Sequence, residues 1–125
     1  MLSRGRDNAF VIVTTLFAYL LMRSDIACAT THMVGEENGW AFDVVDWPKG
    51  KSFQAGDVLA FNYNPMYHNV VGVNQDEYDT CNPSIGSKLY TSGNELITLV
   101  KGPNYFICSF PGHCESNMKI AVIGL

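Results

Sequence analysis

The feature that most limits the fold of this chain is its lack of sustained helical periodicity. After residue 30, no stretch keeps the apolar spacing of a helix for three turns. Short runs with strand-forming patterns alternate instead with turn signals, about every 8–12 residues. Leu59, Phe61 and Tyr63 alternate with residues of the other face, which is the period-two pattern of a strand. The pattern predicts an all-β fold, a sandwich or barrel with short helical turns.

Six segments carry the strand signal. They are Thr31–Val34, Asp57–Asn64, Asn69–Val73, Leu96–Val100, Tyr105–Cys108 and Lys119–Gly124. Residues 81–89 contain Asn82-Pro83 and Gly86, which predicts a loop with one helical turn. Residues 40–47 fit either a strand or a short helical turn. Two packed sheets would gather the loops at the ends of the sandwich, where binding sites are usually built.

The first 29 residues indicate a secretory signal peptide. Arg4 and Arg6 precede an apolar run over residues 9–22, and Ala27-Cys28-Ala29 follows as an A-x-A cleavage pattern. The alternative is a membrane anchor, but a spanning helix needs about 20 apolar residues and this run is shorter. We therefore predict cleavage after Ala29, which leaves one domain over residues 30–125.

The charge of residues 30–125 limits the possible partners. This part contains five Lys and no Arg against ten Asp and Glu, a net charge of −5. No basic patch for nucleic acid is expected from such a balance. A glycolipid anchor would need a second apolar tail after Met118, which the sequence does not contain. We expect a soluble, extracellular monomer with no membrane anchor.

The cysteine count requires a further explanation. Loss of Cys28 with the signal peptide leaves Cys81, Cys108 and Cys114 in an oxidising compartment, where two should pair. The sequence alone allows three pairings. Ligation of a metal by Cys108 would explain one unpaired thiol.

Soft and borderline metal ligands recur at five-residue spacing near the carboxyl terminus. Cys108, His113 and Met118 offer a thiolate, an imidazole and a thioether. A thiolate with two imidazoles and a weak axial thioether is the ligand set of a blue-copper electron-transfer site. The second imidazole must come from His32 or His68. His32 is disfavoured because it is close to the predicted mature terminus, where chains fray. His68 lies in a loop and, from the residues alone, fits either a ligand or a loop histidine without a partner.

The segments around these residues resemble a known family, the phytocyanins, and within it the plantacyanins. The resemblance rests on Trp40, on four stretches and on the final strand, and it spans nearly all of residues 30–125. The stretches are residues 47–53 with Ala55-Gly56-Asp57, residues 61–65 leading to His68-Asn69-Val70-Val71, residues 90–93 and residues 105–114 with Cys108-Ser109-Phe110-Pro111-Gly112-His113-Cys114, followed by Met118-Lys119-Ile120-Ala121-Val122.

The resemblance implies a cupredoxin-like Greek-key β-sandwich that holds one copper ion cycling between Cu(I) and Cu(II). It implies the ligands His68, Cys108, His113 and Met118, and a disulfide between Cys81 and Cys114. Asn69 would support the cysteine loop by a hydrogen bond. Met118 in place of glutamine is typical of the plantacyanins. The net charge of this chain is negative, whereas the plantacyanins are named for basic members. The resemblance therefore does not extend to the charge of the surface that meets a partner.

The resemblance also implies a secreted one-electron carrier of the plant apoplast or cell wall, with an unidentified small-molecule or protein redox partner. Pro65, Met66, Phe110 and Pro111 are expected either around the outer edge of the site or as loop residues with turn roles only. The alternative is a cell-wall binding or signalling protein of plant reproduction or stress, in which copper serves no catalysed electron transfer.

Other functions fit the residues less well. Three histidines in the whole sequence are too few for the trinuclear centre of a multicopper oxidase. A cysteine hydrolase using Cys108 and His113 would leave His68 and Met118 without a role. Zinc sites seldom use methionine and prefer several thiolates or histidines. The sequence therefore predicts a copper protein that is not an enzyme.

Overall fold

A computed structural model of the chain describes residues 12–16 and 28–125. The predicted signal peptide, residues 1–29, lies mostly outside the described residues. Residues 12–16 are helical, and the remaining structure follows from residue 28 onward. Within these two ranges, no helix is both long enough and apolar enough to span a membrane.

The described residues form seven strands in two sheets. The strands are β1 Thr31–Met33, β2 Val58–Asn62, β3 Val70–Val73, β4 Lys88–Tyr90, β5 Asn94–Thr98, β6 Gly102–Ile107 and β7 Lys119–Gly124. One sheet has the order β1-β2-β5 and the other the order β4-β3-β6-β7. β1 runs parallel to β2, and every other pair is antiparallel. The prediction of an all-β sandwich is confirmed.

The core lies between the sheets and is built from the alternating positions of the strands. Leu59 and Phe61 of β2 are fully buried, as the period-two pattern predicts. Trp40 packs edge-on against Phe61 with ring centroids 5.1 Å apart, and Phe106 of β6 meets Phe61 at 5.2 Å. Aromatic residues from both sheets therefore fill the space between them.

Some local predictions were wrong. The predicted helical turn over residues 81–89 lies earlier, as a helix over Gln75–Thr80. Asn74 caps this helix: its side chain accepts from the Glu77 N–H while the Glu77 side chain accepts from the Asn74 N–H. This reciprocal pair is a capping box, whose Asn-x-x-Glu spacing is visible in the sequence.

Several strand boundaries also differ from the prediction, such as that of β5, which is Asn94–Thr98 in place of the predicted Leu96–Val100. β4 begins inside the predicted loop, because Lys88–Tyr90 pairs with β3 at the edge of its sheet. β6 begins at Gly102 although Lys101-Gly102-Pro103 has the composition of a turn; Pro103 lies opposite Ile123 of β7. Residues 40–47 contain a short 3₁₀ turn, Val44–Asp46, and no strand.

β2 connects the two ends of the sandwich. Asp57 precedes it at one end, where β5, β6 and β7 also have their outer residues Thr98, Gly102 and Gly124. The loop that begins at Tyr63 follows it at the other end, where β3 begins and β6 stops. The candidate site residues after β2 and after β6 therefore meet at this second end.

Candidate metal centre

The four predicted ligands come from two connections at one end of the sandwich. His68 lies in the loop between β2 and β3. Cys108 follows β6 directly, His113 lies in the connection after it, and Met118 precedes β7. Two antiparallel neighbours, β6 and β7, therefore support both ends of the segment that carries three of these side chains.

A tight turn directs His113 back toward Cys108. The N–H of His113 donates to the carbonyl oxygen of Phe110 at 3.1 Å. Between them lie Pro111 and Gly112, and Gly112 has φ +81°. Proline followed by a residue with positive φ is the signature of a type II turn, in which glycine is favoured because other residues are strained there.

The structure brings His68, Cys108 and His113 together. The Nδ1 atoms of His68 and His113 are 3.1 Å apart, and Cys108 Sγ is 3.5 Å from His113 Nδ1. One potential ligand atom from each of the three residues lies within 4.8 Å of the others. The two imidazoles come from segments 45 residues apart, so the cluster exists only in the folded chain.

These distances fit a shared metal ion. First-row metals bind imidazole nitrogen at about 2.0–2.1 Å and thiolate at about 2.3 Å, so two such ligands on one metal lie roughly 3.1–3.6 Å apart. A hydrogen bond between the imidazoles would explain the 3.1 Å distance alone. A second hydrogen bond, between the Cys108 thiol and His113 Nδ1, would explain the 3.5 Å distance. One shared metal ion accounts for both distances together. The donor set suits a copper ion of the type held by one thiolate and two imidazoles.

Burial sets the electrostatics of the two titrating ligands. It lowers the pKa of His68, and the neighbouring His113 lowers it further. Burial raises the pKa of the Cys108 thiol, while the backbone N–H groups of Asn69 and Phe110 act in the opposite direction. A neutral imidazole is the form that binds a metal, and a bound cation draws the proton from a coordinating thiol.

The backbone of Met118 is hydrogen-bonded to two residues of this cluster. Its N–H donates to the carbonyl of His113 at 3.1 Å, and its carbonyl accepts from the N–H of Cys108 at 3.0 Å. The side chain is fully buried in the main core cluster, which also contains Cys108. A buried methionine is often only a core filler, but this one is anchored to two of the three clustered residues.

Asn69 ties the loop of His68 to the loop of Cys108. Its Nδ2 donates to Ser109 Oγ at 2.8 Å, and its Oδ1 accepts from the Ser109 N–H at 2.8 Å. Its backbone carbonyl accepts from Trp40 Nε1, also at 2.8 Å. These bonds fix the residue that follows His68 to the residue that follows Cys108. Hydrogen bonds of this kind orient metal ligands and tune the site.

The disulfide joins Cys81 to Cys114. Cys81 ends the helix Gln75–Thr80, and Cys114 follows His113 directly. Both sulfurs lie beside a second small core cluster, in which Val71, Ile107 and Cys114 are buried. Among the described residues, Cys28 and Cys108 remain free, the first exposed and the second buried. The bridge therefore restrains the loop that contains His113 and leaves the buried thiol of Cys108 able to bind a metal.

A shallow apolar cavity of about 560 Å³ lies over the two imidazoles. Its lining residues are Phe42, Met66, Tyr67, His68, Phe110 and His113. Met66 and Phe110 were expected there, whereas Pro65 and Pro111 do not line it. Because no lining side chain is a carboxylate, an ammonium or a guanidinium, the rim has little fixed charge.

Sequence reasoning missed Phe42. Its ring meets His113 edge-on with centroids 4.7 Å apart and His68 at 5.5 Å, so it spans both imidazoles. It is 48% exposed and lies in the segment whose pattern fits neither strand nor helix clearly. In the sequence, Phe42 is recognisable only as an aromatic residue that belongs to no clear strand or helix pattern.

His32 takes no part in this cluster. It lies in β1, where its Nε2 donates to Asp57 Oδ2 at 2.9 Å, and its ring packs against Phe53. Its exclusion from the site was predicted, but its carboxylate partner was not.

The chain resembles copper proteins of known sequence and structure. Residues 37–118 match the plastocyanin-like domain. The chain is 52% identical to the basic blue protein of Arabidopsis thaliana over 97% of its own length and 98% of that protein. It matches the structure of cucumber basic protein, a blue copper protein, with a TM-score of 0.76 and 58% identity, over 77% of this chain and 100% of that chain. Spinach plantacyanin matches with a TM-score of 0.64 and 49% identity, over 70% of this chain and 94% of that chain.

Proposed function

The chain belongs to the plastocyanin-like domain family, and on that basis we propose that it binds one copper ion through His68, Cys108, His113 and Met118. The cupredoxin-like fold and the predicted resemblance to plantacyanins are confirmed by the basic blue and plantacyanin relatives. The chain is a type 1 copper electron carrier. The observation that carries this function is the close approach of two imidazole nitrogens and one thiol sulfur.

Copper held by such ligands supplies a one-electron couple between Cu(I) and Cu(II). The protein contributes a nearly fixed arrangement of ligands. Cys108 is anchored by the end of β6, and the Asn69–Ser109 hydrogen bonds hold the two ligand loops together. A ligand frame that cannot relax freely limits the rearrangement that accompanies gain or loss of an electron.

The surface around the imidazoles is where we place electron exchange. Met66 is 76% exposed and Tyr67 60% exposed, and both lie beside His68. An apolar rim allows close, brief contact with a small-molecule or protein redox partner. We propose no enzymatic activity, because three histidines cannot supply both this site and a second, catalytic copper cluster.

We further propose that residues 1–29 are removed and that the protein is secreted as a monomer into the plant cell wall space. The match to cucumber basic protein covers all of that chain and 77% of this one, which is about 96 residues. Residues 30–125 also number 96. This agreement in size supports cleavage after Ala29.

The ligand assignment is tested with residues 30–125, folded with the disulfide and titrated with Cu(II). We expect one copper per chain, an intense blue thiolate-to-copper absorption band and a reversible one-electron couple. Cys108→Ser should abolish the band, whereas the control Ser109→Ala should keep it. A colourless wild-type protein, or a blue band that survives Cys108→Ser, would contradict the assignment.

The axial position is tested separately. Met118→Gln should keep the blue band and lower the reduction potential, because an amide oxygen favours Cu(II) more than a thioether does. The potential is measured by voltammetry on both proteins. An unchanged potential would mean that Met118 is not an axial ligand.

A further inference from the structure

The end of the sandwich opposite the metal centre contains a buried carboxylate with three donors. Asp57 is 5% exposed. Its Oδ1 accepts from the backbone N–H of Thr30 at 3.0 Å. Its Oδ2 accepts from the backbone N–H of Gln54 at 3.0 Å and from His32 Nε2 at 2.9 Å. Both oxygens therefore have partners, and two of the three donors belong to the first residues of the domain.

These contacts attach the start of β1 to the sheet. The carbonyl of Thr30 accepts from the Val58 N–H at 2.9 Å, while the N–H of Thr30 points to Asp57. Thr30 is thus bound on both sides of its backbone. Cys28 and Ala29, which precede it, are exposed and border a shallow cavity beside Gln54, Ala55 and Asp57.

The position of the Thr30 nitrogen coincides with the proposed processing site. Hydrolysis of the Ala29–Thr30 peptide bond adds hydroxyl to the Ala29 carbonyl carbon and hydrogen to the Thr30 nitrogen. The released amine takes up a further proton at neutral pH, because α-amino groups have a pKa of about 7.7–8.0. A neutral N–H donor 3.0 Å from a carboxylate oxygen is thereby replaced by an ammonium group.

We propose that Asp57 is the receptor for the α-ammonium group that signal-peptide cleavage creates at Thr30. Processing converts one neutral hydrogen bond into a charge-assisted ion pair, and such pairs are stronger than neutral hydrogen bonds. The precursor, which lacks this charge, holds β1 less tightly than the mature protein. The inference concerns the end of the fold remote from copper and does not depend on metal binding.

The charges that face the new ammonium group are few. Asp57 approaches from the residue before β2, and His32 approaches from β1. Leu99 packs here from the residue after β5, and its carbonyl accepts from the Gly56 N–H at 2.9 Å. Leu125 follows β7, and its carbonyl oxygen accepts from the Ala55 N–H at 2.9 Å. The carboxylate of Asp57 therefore favours the ammonium form of the Thr30 amine.

The primary test is the pKa of the Thr30 α-amine in residues 30–125, measured by ¹⁵N NMR on protein labelled at threonine. We expect a pKa about 0.5–1 unit above the ordinary range of about 7.7–8.0, which corresponds to a three- to tenfold larger folding equilibrium constant. Because the folded-state pKa is raised, this stabilisation is present below about pH 7.7 and is lost as the pH rises through the raised value. An amine that titrates within the ordinary range would overturn the proposal.

A chemical-denaturation cycle supplies a second readout. Residues 30–125 with a free amine are compared at pH 6 with the same protein carrying an N-terminal acetyl group, each with Asp57 and with Asp57→Asn. We expect acetylation to reduce stability only when Asp57 is present. The control Asp46→Asn, at an exposed carboxylate paired with Lys49, should leave the acetylation effect intact.

Equal acetylation effects with Asp57 and with Asp57→Asn would contradict the proposal. If Asp57→Asn does not fold, the wild-type pKa still decides the outcome, since that measurement needs no variant. N-terminal sequencing of the secreted protein independently tests whether the mature chain begins at Thr30. A mature chain that begins at a residue other than Thr30 would also overturn the proposal.

Discussion

The two ends of the sandwich use histidine in different ways. At one end, His32 donates to the carboxylate of Asp57, which also binds two backbone N–H groups. At the other end, His68 and His113 face each other and a thiol. Both clusters join segments that are far apart in sequence. Only the second combines imidazole nitrogens with sulfur.

The difference shows that the partner atoms, more than the histidine itself, decide what such a cluster does. A carboxylate with three hydrogen-bond donors is already satisfied, so the Asp57 cluster serves to hold β1 in place. The His68, Cys108 and His113 cluster instead brings two imidazole nitrogens and a thiol sulfur, all potential metal ligands, within 4.8 Å of one another. It is stable as a binding site for a soft cation.

The largest expected effect is at the metal end and concerns the disulfide. Replacing both Cys81 and Cys114 by alanine should lower the free energy of unfolding by about 3–4 kcal/mol, because the bridge restricts the unfolded chain. The bonded residues are 33 positions apart. Urea denaturation of the copper-free proteins measures the change. We also expect weaker copper binding, since Cys114 adjoins His113. A double variant of wild-type stability would show that the bridge restrains nothing.

A smaller effect is expected when the link between the ligand loops is cut. Asn69→Ala leaves the N–H and hydroxyl of Ser109 without their partners and should cost about 1–3 kcal/mol. It should also shift the blue absorption band, because Ser109 adjoins Cys108. Ser109→Ala removes only one of the two hydrogen bonds and should cost less. Equal losses for both variants would argue against the bridging role of Asn69.

The opposite end should respond to acid. The hydrogen bond from His32, followed by those from the backbone of Gln54 and Thr30, lowers the pKa of Asp57 from 3.8 to about 2. The depressed pKa contributes stability above about pH 4, and that contribution is lost as the pH falls toward 2. We expect Asp57→Asn to flatten the stability profile between pH 5 and 2, roughly the window of this titration.

Other carboxylates titrate in the same window, so the difference between the two profiles is the quantity to compare. Asp46→Asn serves as the control, because Asp46 is exposed and paired with Lys49 at the surface. Parallel profiles for wild type and Asp57→Asn would contradict the proposed role of Asp57.

The smallest effect on stability is expected at Phe42. Its side chain is half-exposed, so Phe42→Leu should change the free energy of unfolding by no more than about 0.5 kcal/mol. Loss of the ring over both imidazoles should admit water and favour the more highly charged Cu(II), which lowers the reduction potential. Voltammetry measures this shift. The exposed Ile85→Leu is a control that should leave the potential unchanged.

The metal end was the more predictable part of the sequence. Cys108, His113 and Met118 are recognisable by residue type and spacing alone. His68 needed the resemblance to phytocyanins, because nothing local distinguishes a ligand in a loop from any other loop histidine. Phe42 escaped prediction since its contacts with the imidazoles arise only when its segment folds over the end of the sandwich.

The opposite end was predictable only in outline. Asp57 was identified as part of a turn and a strand, but its contacts with Thr30 and His32 span 27 and 25 residues. No periodic pattern encodes such contacts. The capping box at Asn74 and Glu77 was visible in the sequence and was missed because the helix is too short to show a period. The edge strand β4 has only three residues, which is too few for an alternating pattern.

The most direct test of the account is a crystal structure of residues 30–125 loaded with copper, in which anomalous scattering locates the metal. We predict one copper peak, within bonding distance of Nδ1 of His68, Nδ1 of His113 and Sγ of Cys108, and none beside His32 and Asp57. A copper bound at the His32 end, or a peak without the Cys108 sulfur in contact, would contradict it.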